Sequence, residues 1–156
     1  MIDAEEYLAY CDKAFDRLTA IVVGLGDDLA NRRPPLEGAN TAYAILTHCL
    51  GVATHWASTV NRGIVVPRDR EAEFTASGPV DELAARARAV QEKFRADVLA
   101  SDFSAPPANP PERTDVFVRT QGAVLMHVYE ELSQHLGQLE LTRDIVNVQD
   151  HEEHAV

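Results

Sequence analysis

The chain has 156 residues, 46% of them hydrophobic and 25% charged, with a formal net charge of -11. That is long enough for one domain with a sizeable core. The acidic balance argues against nucleic acid and against an anionic membrane surface, since phosphate-rich partners call for basic patches, and no apolar run approaches the roughly 20 residues that span a bilayer.

The first helix is expected to start at Asp3, which with Glu6 has the spacing of a capping box. Leu8, Cys11, Phe15, Leu18, Val22 and Leu25 then recur in steps of three and four, the stripe of a bundle helix. Gly24 and Gly26 are expected to end it. Met1 is followed by IDAEEYLAY, which is neither basic nor apolar, so no signal peptide is expected. A polar loop with Pro34, Pro35 and Gly38 follows. Asn40 is the expected N-cap of a second helix, from about Thr41 to Asn61. That helix carries two apolar rows: Tyr43, Leu46, Leu50, Ala53, Ala57 and Val60, and beside them Ile45, Cys49, Val52 and Trp56. It should be buried over much of its girth.

The next connection, IVVPRDREAEFTASG, is long and charged, and reads as loop. Pro79 suits the first turn of a third helix, whose stripe is Val80, Leu83, Ala87, Val90, Phe94 and Val98. A proline-rich loop, SDFSAPPANPPERTD, cannot be helical throughout. The last helix is expected to end near Ile145. The chain therefore divides into a bundle over residues 1–146 and a flexible C-terminal tail over residues 147–156. With no alternating strands and no repeats, the fold class is all-α, a four-helix bundle. The second connection can reach roughly 50 Å, so it can cross the bundle, and an up-down-up-down order does not follow. Cys11 and Cys49 make no disulfide framework. They read as core residues of a protein in a reducing cytoplasm.

The last helix also carries a polar row. His127, Glu131 and His135 sit at i, i+4 and i+8, with Gln138 continuing the row, and residues four apart share a face. Leu125, Val128, Leu132, Leu136 and Leu139 run beside them. A carboxylate and an imidazole next to a buried seam are costly unless paired, and a metal ion is a common reason for them. In bundles such sites draw on facing helices. The natural third ligand is His48, embedded in an otherwise apolar helix. The metal set is thus His48, Glu131 and His135, which suits zinc and also nickel, iron or manganese. His127 can replace or join the set, or support it from the side. Gln138 reads as a supporting donor. Trp56 reads as packing, or as a stacking surface for substrate. No catalytic residue beyond the metal ligands is expected.

The pairing of LTHCLGVATHW (Leu46 to Trp56) with HVYEELSQHLGQLELTRD (His127 to Asp144) resembles the DinB-like superfamily, and within it the mycothiol-dependent maleylpyruvate isomerase and thiol S-transferase branch. That branch shows L-x-H followed eight residues after the His by Trp, and later H-x-x-x-E-x-x-x-H-x-G. The run from Arg33 to Asn40 is similar to its R-P-x-x-G-x-N. The resemblance implies His48, Glu131 and His135 as ligands, an up-down-down-up bundle and a homodimer. The Glu at position 131 favours the mycothiol branch, because many other DinB-like proteins carry His there. The resemblance covers the bundle and not the additional C-terminal domain of the larger isomerase. It therefore implies a metal-dependent S-transferase using a low-molecular-weight, mycothiol-like thiol, in which the metal activates the thiol for attack on an electrophile. Two rivals remain: a non-catalytic, stress-related metal-binding protein, and a metal-assisted hydrolase with water as nucleophile.

Overall fold

The computed structural model describes residues 2–112 and 116–155. Residues 113–115, at the end of the predicted proline-rich loop, and the terminal residues 1 and 156 lie outside it. Among the described residues there are five α-helices, α1 (Ala4–Ala30), α2 (Ala42–Thr54), α3 (Arg70–Glu73), α4 (Val80–Leu99) and α5 (Gln121–His154), of which the four long ones make the bundle. No strand occurs among the described residues.

Helix α1 starts where the capping box places it. The Glu6 amide donates to Asp3 Oδ1 at 2.8 Å, and the Asp3 amide to Glu6 Oε2 at 3.0 Å. It does not stop at its glycines. Gly26 adopts φ +70° and breaks the helical path, yet a further turn continues to Ala30. The Asn31 side chain closes that turn, bonding the Asp27 carbonyl at 2.7 Å and both the carbonyl and the amide of Gly78. Helix α2 is capped by Thr41, not by Asn40, the threonine hydroxyl accepting from the Ala44 amide at 3.1 Å. Pro79 is the N-cap of α4 and has no hydroxyl or carboxylate to offer. Asp27 on α1 supplies one instead, accepting from the Val80 amide at 2.8 Å.

Side-chain pairs give the helix directions. Tyr7 and Arg17 of α1, and Arg32 just beyond its C-cap, meet Leu125, Glu140 and Glu153 of α5 in that order, so α1 and α5 advance together. Asp12 and Asp27 of α1 meet Arg95 and Val80, so α4 runs against α1. His48 and Asn61 meet Glu131 and Gln121, so α2 runs against α5. The core between them holds Leu8, Phe15, Leu18, Leu46, Leu50, Phe94, Leu125 and Leu132, all essentially inaccessible.

Three features depart from the periodic reading. The second helix changes pitch at His55, and residues His55–Asn61 wind as a π-helix. Its last carbonyls accept from the proline-rich loop, Asn109 N to Val60 O at 2.9 Å and Ala108 N to Asn61 O at 3.2 Å. The charged connection contains the one-turn helix α3. Finally, α5 runs to His154 instead of ending near Ile145. Arg32 ties the extra turns down by pairing with Asp150 and Glu153.

Cys11 and Cys49 are both fully buried and free. Burial pushes the Cys11 thiol up to about 12, and burial reinforced by the Glu131 charge raises Cys49 further. Both stay protonated and shielded at any ordinary pH, and the thiolate is the reactive form. Iodoacetamide at pH 8 is therefore expected to label neither cysteine in the folded protein and both in denaturant, read by mass spectrometry. Rapid labelling of the native protein would contradict this core.

Candidate metal centre

The polar row of α5 and the buried face of α2 meet around one point. His48 is only 4% exposed. Its Nε2 lies 3.7 Å from Glu131 Oε2, and His135 Nε2 lies 3.5 Å from the same oxygen. One ligand atom from each of His48, Glu131 and His135 lies within 4.8 Å of the other two. The two imidazoles meet edge to face, with centroids 4.8 Å apart.

These spacings are compatible with three ligands around one ion. Separations of 3.5 and 3.7 Å exceed the 2.7–3.2 Å of a good N–H···O bond. Two ligands on a tetrahedral ion at about 2.0–2.1 Å stand about 3.3–3.4 Å apart. The other ring nitrogens, by contrast, make proper hydrogen bonds. His48 Nδ1 is 2.8 Å from Glu73 Oε2, and His135 Nδ1 is 2.8 Å from Gln138 Oε1. An acceptor at each Nδ1 calls for the proton there. Each Nε2 is then left with its lone pair aimed at the shared point, the arrangement that ligating histidines require. Two imidazoles and a carboxylate fit zinc and the divalent transition ions, and three protein ligands leave positions for water or substrate. His48 is closed off, while the Glu131 and His135 side chains retain 27% and 22% exposure. The site therefore opens on the α5 side.

The remaining predicted residues stand beside the cluster. His127 lies outside the three-residue cluster. Its Nε2 is 3.8 Å from Glu131 Oε1, the oxygen that does not face the other two histidines, and its Nδ1 is 3.2 Å from Glu130 Oε2. Trp56 stands edge to face on the His127 ring at 5.1 Å, and Phe117 lies tilted against the same ring at 5.2 Å. The π-helical turn carries Trp56. An inserted residue of this kind re-aims side chains and recurs at functional sites. Trp56 also packs against the core, so the packing and stacking roles are compatible. His55 is half-buried, its pKa lowered by that burial and next by Arg68. Gln134 faces solvent, reaching Glu130 at 3.5 Å.

Glu73, Arg68 and Gly51 belong to this site and are absent from the periodic reading. Glu73 is 6% exposed. Arg68 grips its carboxylate with Nε at 2.7 Å and Nη2 at 2.9 Å. Burial alone would raise the Glu73 pKa, but the bonds from Arg68 and His48 outweigh it and the net shift is downward. These residues sit in a charged connection with no period, so nothing in the sequence marks which carboxylate turns inward. The only available signal was the demand itself, since a buried imidazole needs a partner for its second nitrogen.

The pairing of Glu131 with His135, and next with His48, holds the Glu131 carboxyl far below its ordinary 4.5, and the same partner raises His135 above 6.5. The stabilisation from the raised His135 is complete below pH 6.5 and lost as pH rises through its folded pKa. That from the depressed Glu131 is complete above pH 4.5 and lost on acidification. In chelator-treated protein, Glu131→Gln should therefore lower Tm most between pH 4.5 and 6.5. The loss should be roughly 1–3 °C for so exposed a pair, and it should shrink at higher pH. A loss that grows steadily from pH 6 to 9 in thermal melts would contradict the pairing.

Comparison with known proteins bears on the same residues. Residues 6–147 match the family model described as mycothiol-S-transferase. No curated protein matches the chain. The matched span contains His48, Glu131, His135, Glu73 and Arg68.

Proposed function

The chain belongs to the mycothiol-S-transferase family, a branch of the DinB-like superfamily, and from that premise we propose that it is a metal-dependent S-transferase joining a mycothiol-like thiol to a small electrophile. The observation that carries this reading is the convergence of two imidazole Nε2 atoms on one Glu131 oxygen, with both Nδ1 atoms already bonded. His48, Glu131 and His135 would hold the ion, with zinc the metal we propose. A divalent cation at this point would favour the thiolate form of a thiol substrate at neutral pH.

The chain's own groups do the rest. Glu131 supplies the negative charge that balances the ion, and Gln138 and Glu73 keep the two imidazoles oriented. Trp56, Phe117 and His127 flank the open side of the cluster, a surface suited to excluding water from the nucleophile and holding the electrophile. The substrate sulfur forms the new bond to carbon, its proton passes to solvent, and the electrophile's leaving group departs or its ring opens. Cys11 and Cys49 take no part. Their burial also supports a cytoplasmic protein, because free thiols persist under reducing conditions. We read the connectivity as up-down-down-up, supported by the order of pairs between α1 and α5 and by the length of the connection between α2 and α4. A homodimer is supported by the exposed apolar residues Leu36, Leu141 and Val148, of which Leu141 and Val148 share one shallow groove with Pro35.

The test is conjugation of a chromogenic aryl halide with mycothiol, in wild type, Glu131→Gln and Cys49→Ser, with zinc supplied and with chelator. Wild type and Cys49→Ser should turn over only with metal. Glu131→Gln should lose at least the roughly 10–100-fold that even a supporting partner costs. Activity that survives complete metal removal would contradict the proposal. Thiol-independent hydrolysis of ester or amide substrates would favour water as the nucleophile instead.

A further inference from the structure

Glu73 arrives from outside the two helices that build the metal cluster. It closes the one-turn helix α3, whose start is fixed by Asp69 accepting from the Ala72 amide at 3.0 Å. Its neighbour Phe74 stacks on the His48 ring, centroids 4.7 Å apart and planes 28° from parallel. One short segment therefore holds the imidazole by its face and by its Nδ1 edge. The approach of the carboxylate is possible because position 51 is glycine. A Cβ there would stand 2.0 Å from Glu73 Oε1 and 2.7 Å from Cδ. Gly51 lies inside α2, three residues after His48, at an interior helix position where glycine is disfavoured relative to alanine. Neither oxygen of Glu73 is idle: Oε1 takes Arg68 Nε, and Oε2 takes both Arg68 Nη2 and His48 Nδ1.

We propose that Glu73 is the positioning residue of the metal centre: clamped by Arg68 and admitted by the notch at Gly51, it fixes His48 in the Nδ1–H tautomer and aims its Nε2 lone pair at the point shared with Glu131 and His135. The two histidines are thereby held by different means. His135 is oriented from within its own helix by Gln138, an exposed neutral amide. His48 is oriented by a buried carboxylate from another segment, and a charged acceptor makes the stronger and more directional bond. The connection between α2 and α4 thus becomes part of the site, although it contributes no ligand. The alternative is that Arg68 and Glu73 merely staple this connection to α2, in which case their loss would lower stability and leave the histidine's behaviour unchanged.

The inference rests on the metal reading above, so its test carries one readout that needs no metal. The first readout is the His48 tautomer in metal-free, ¹⁵N-histidine-labelled protein by long-range ¹H–¹⁵N correlation. The second is zinc affinity by competition with a chromophoric chelator. Wild type should show Nδ1–H at His48. Glu73→Gln and Gly51→Ala, which leave every ligand in place, should shift His48 to a mixture of tautomers and weaken zinc binding about 10–100-fold. Glu73→Asp should recover part of the affinity. If Gly51→Ala fails to fold, Glu73→Gln carries the test alone, since it conserves shape. A folded Glu73→Gln with the wild-type tautomer overturns the proposal, as does one with wild-type zinc affinity. If wild type itself binds no zinc, the metal reading fails, and the tautomer result still decides whether Glu73 positions His48.

Discussion

The structure turns on the burial of one imidazole. His48 sits on a helix that is apolar over nearly all its girth, and a buried polar ring must find a partner for each nitrogen. The two nitrogens face different parts of the chain. Nδ1 reaches outward to Glu73 in the connection between α2 and α4. Nε2 faces the polar row of α5, at distances too long for direct hydrogen bonds and suited to an ion between. The antiparallel contact of α2 with α5, the inward turn of α3 and the Arg68–Glu73 pair all answer that single demand. The apolar stripes would build a bundle without it, but not one in which these helices and this connection meet so closely at one point.

Chemistry and fold are carried by separate rows of the same helices. On α5 the apolar residues Leu125, Val128, Leu132 and Leu139 are completely buried, while His127, Glu131 and His135 lie beside them and keep partial exposure. On α2 the site takes one residue, His48, and the notch at Gly51. The buried cysteines follow the same division. Cys49 is the next residue after His48, yet it turns into the core with a thiol held protonated. Any nucleophilic sulfur would have to come from a substrate, which accords with the family to which the chain belongs.

Most of the bundle was legible because amphipathic helices repeat. The stripes on α1, α2, α4 and α5, the Asp3–Glu6 cap and the dipeptide Pro34–Pro35 are local signals with local causes. The pair Glu131 and His135 was legible for the same reason, and His48 because it interrupts an apolar row. What escaped has no period. Gly26 breaks α1 without ending it, since Asn31 and Gly78 cap the next turn from a distance. Thr41 outcompetes Asn40 as a cap by one residue, within the usual uncertainty of helix ends. The π-turn at His55–Asn61 depends on the proline-rich loop donating its amides to the terminal carbonyls of that turn. The last turns of α5 depend on Arg32, more than a hundred residues away. Glu73 looks like any other acid of a charged run, and only the three-dimensional position of His48 singles it out.

The proposed reaction requires that a metal held by His48, Glu131 and His135 bind the thiol directly. X-ray absorption of the zinc-loaded protein, with and without mycothiol, reads this without reference to turnover. The expected result is a first shell of nitrogen and oxygen at about 2.0–2.1 Å containing two imidazoles, and, on adding thiol, one new sulfur at about 2.3 Å. A first shell unchanged by saturating thiol, or one with fewer than two imidazoles, would contradict it.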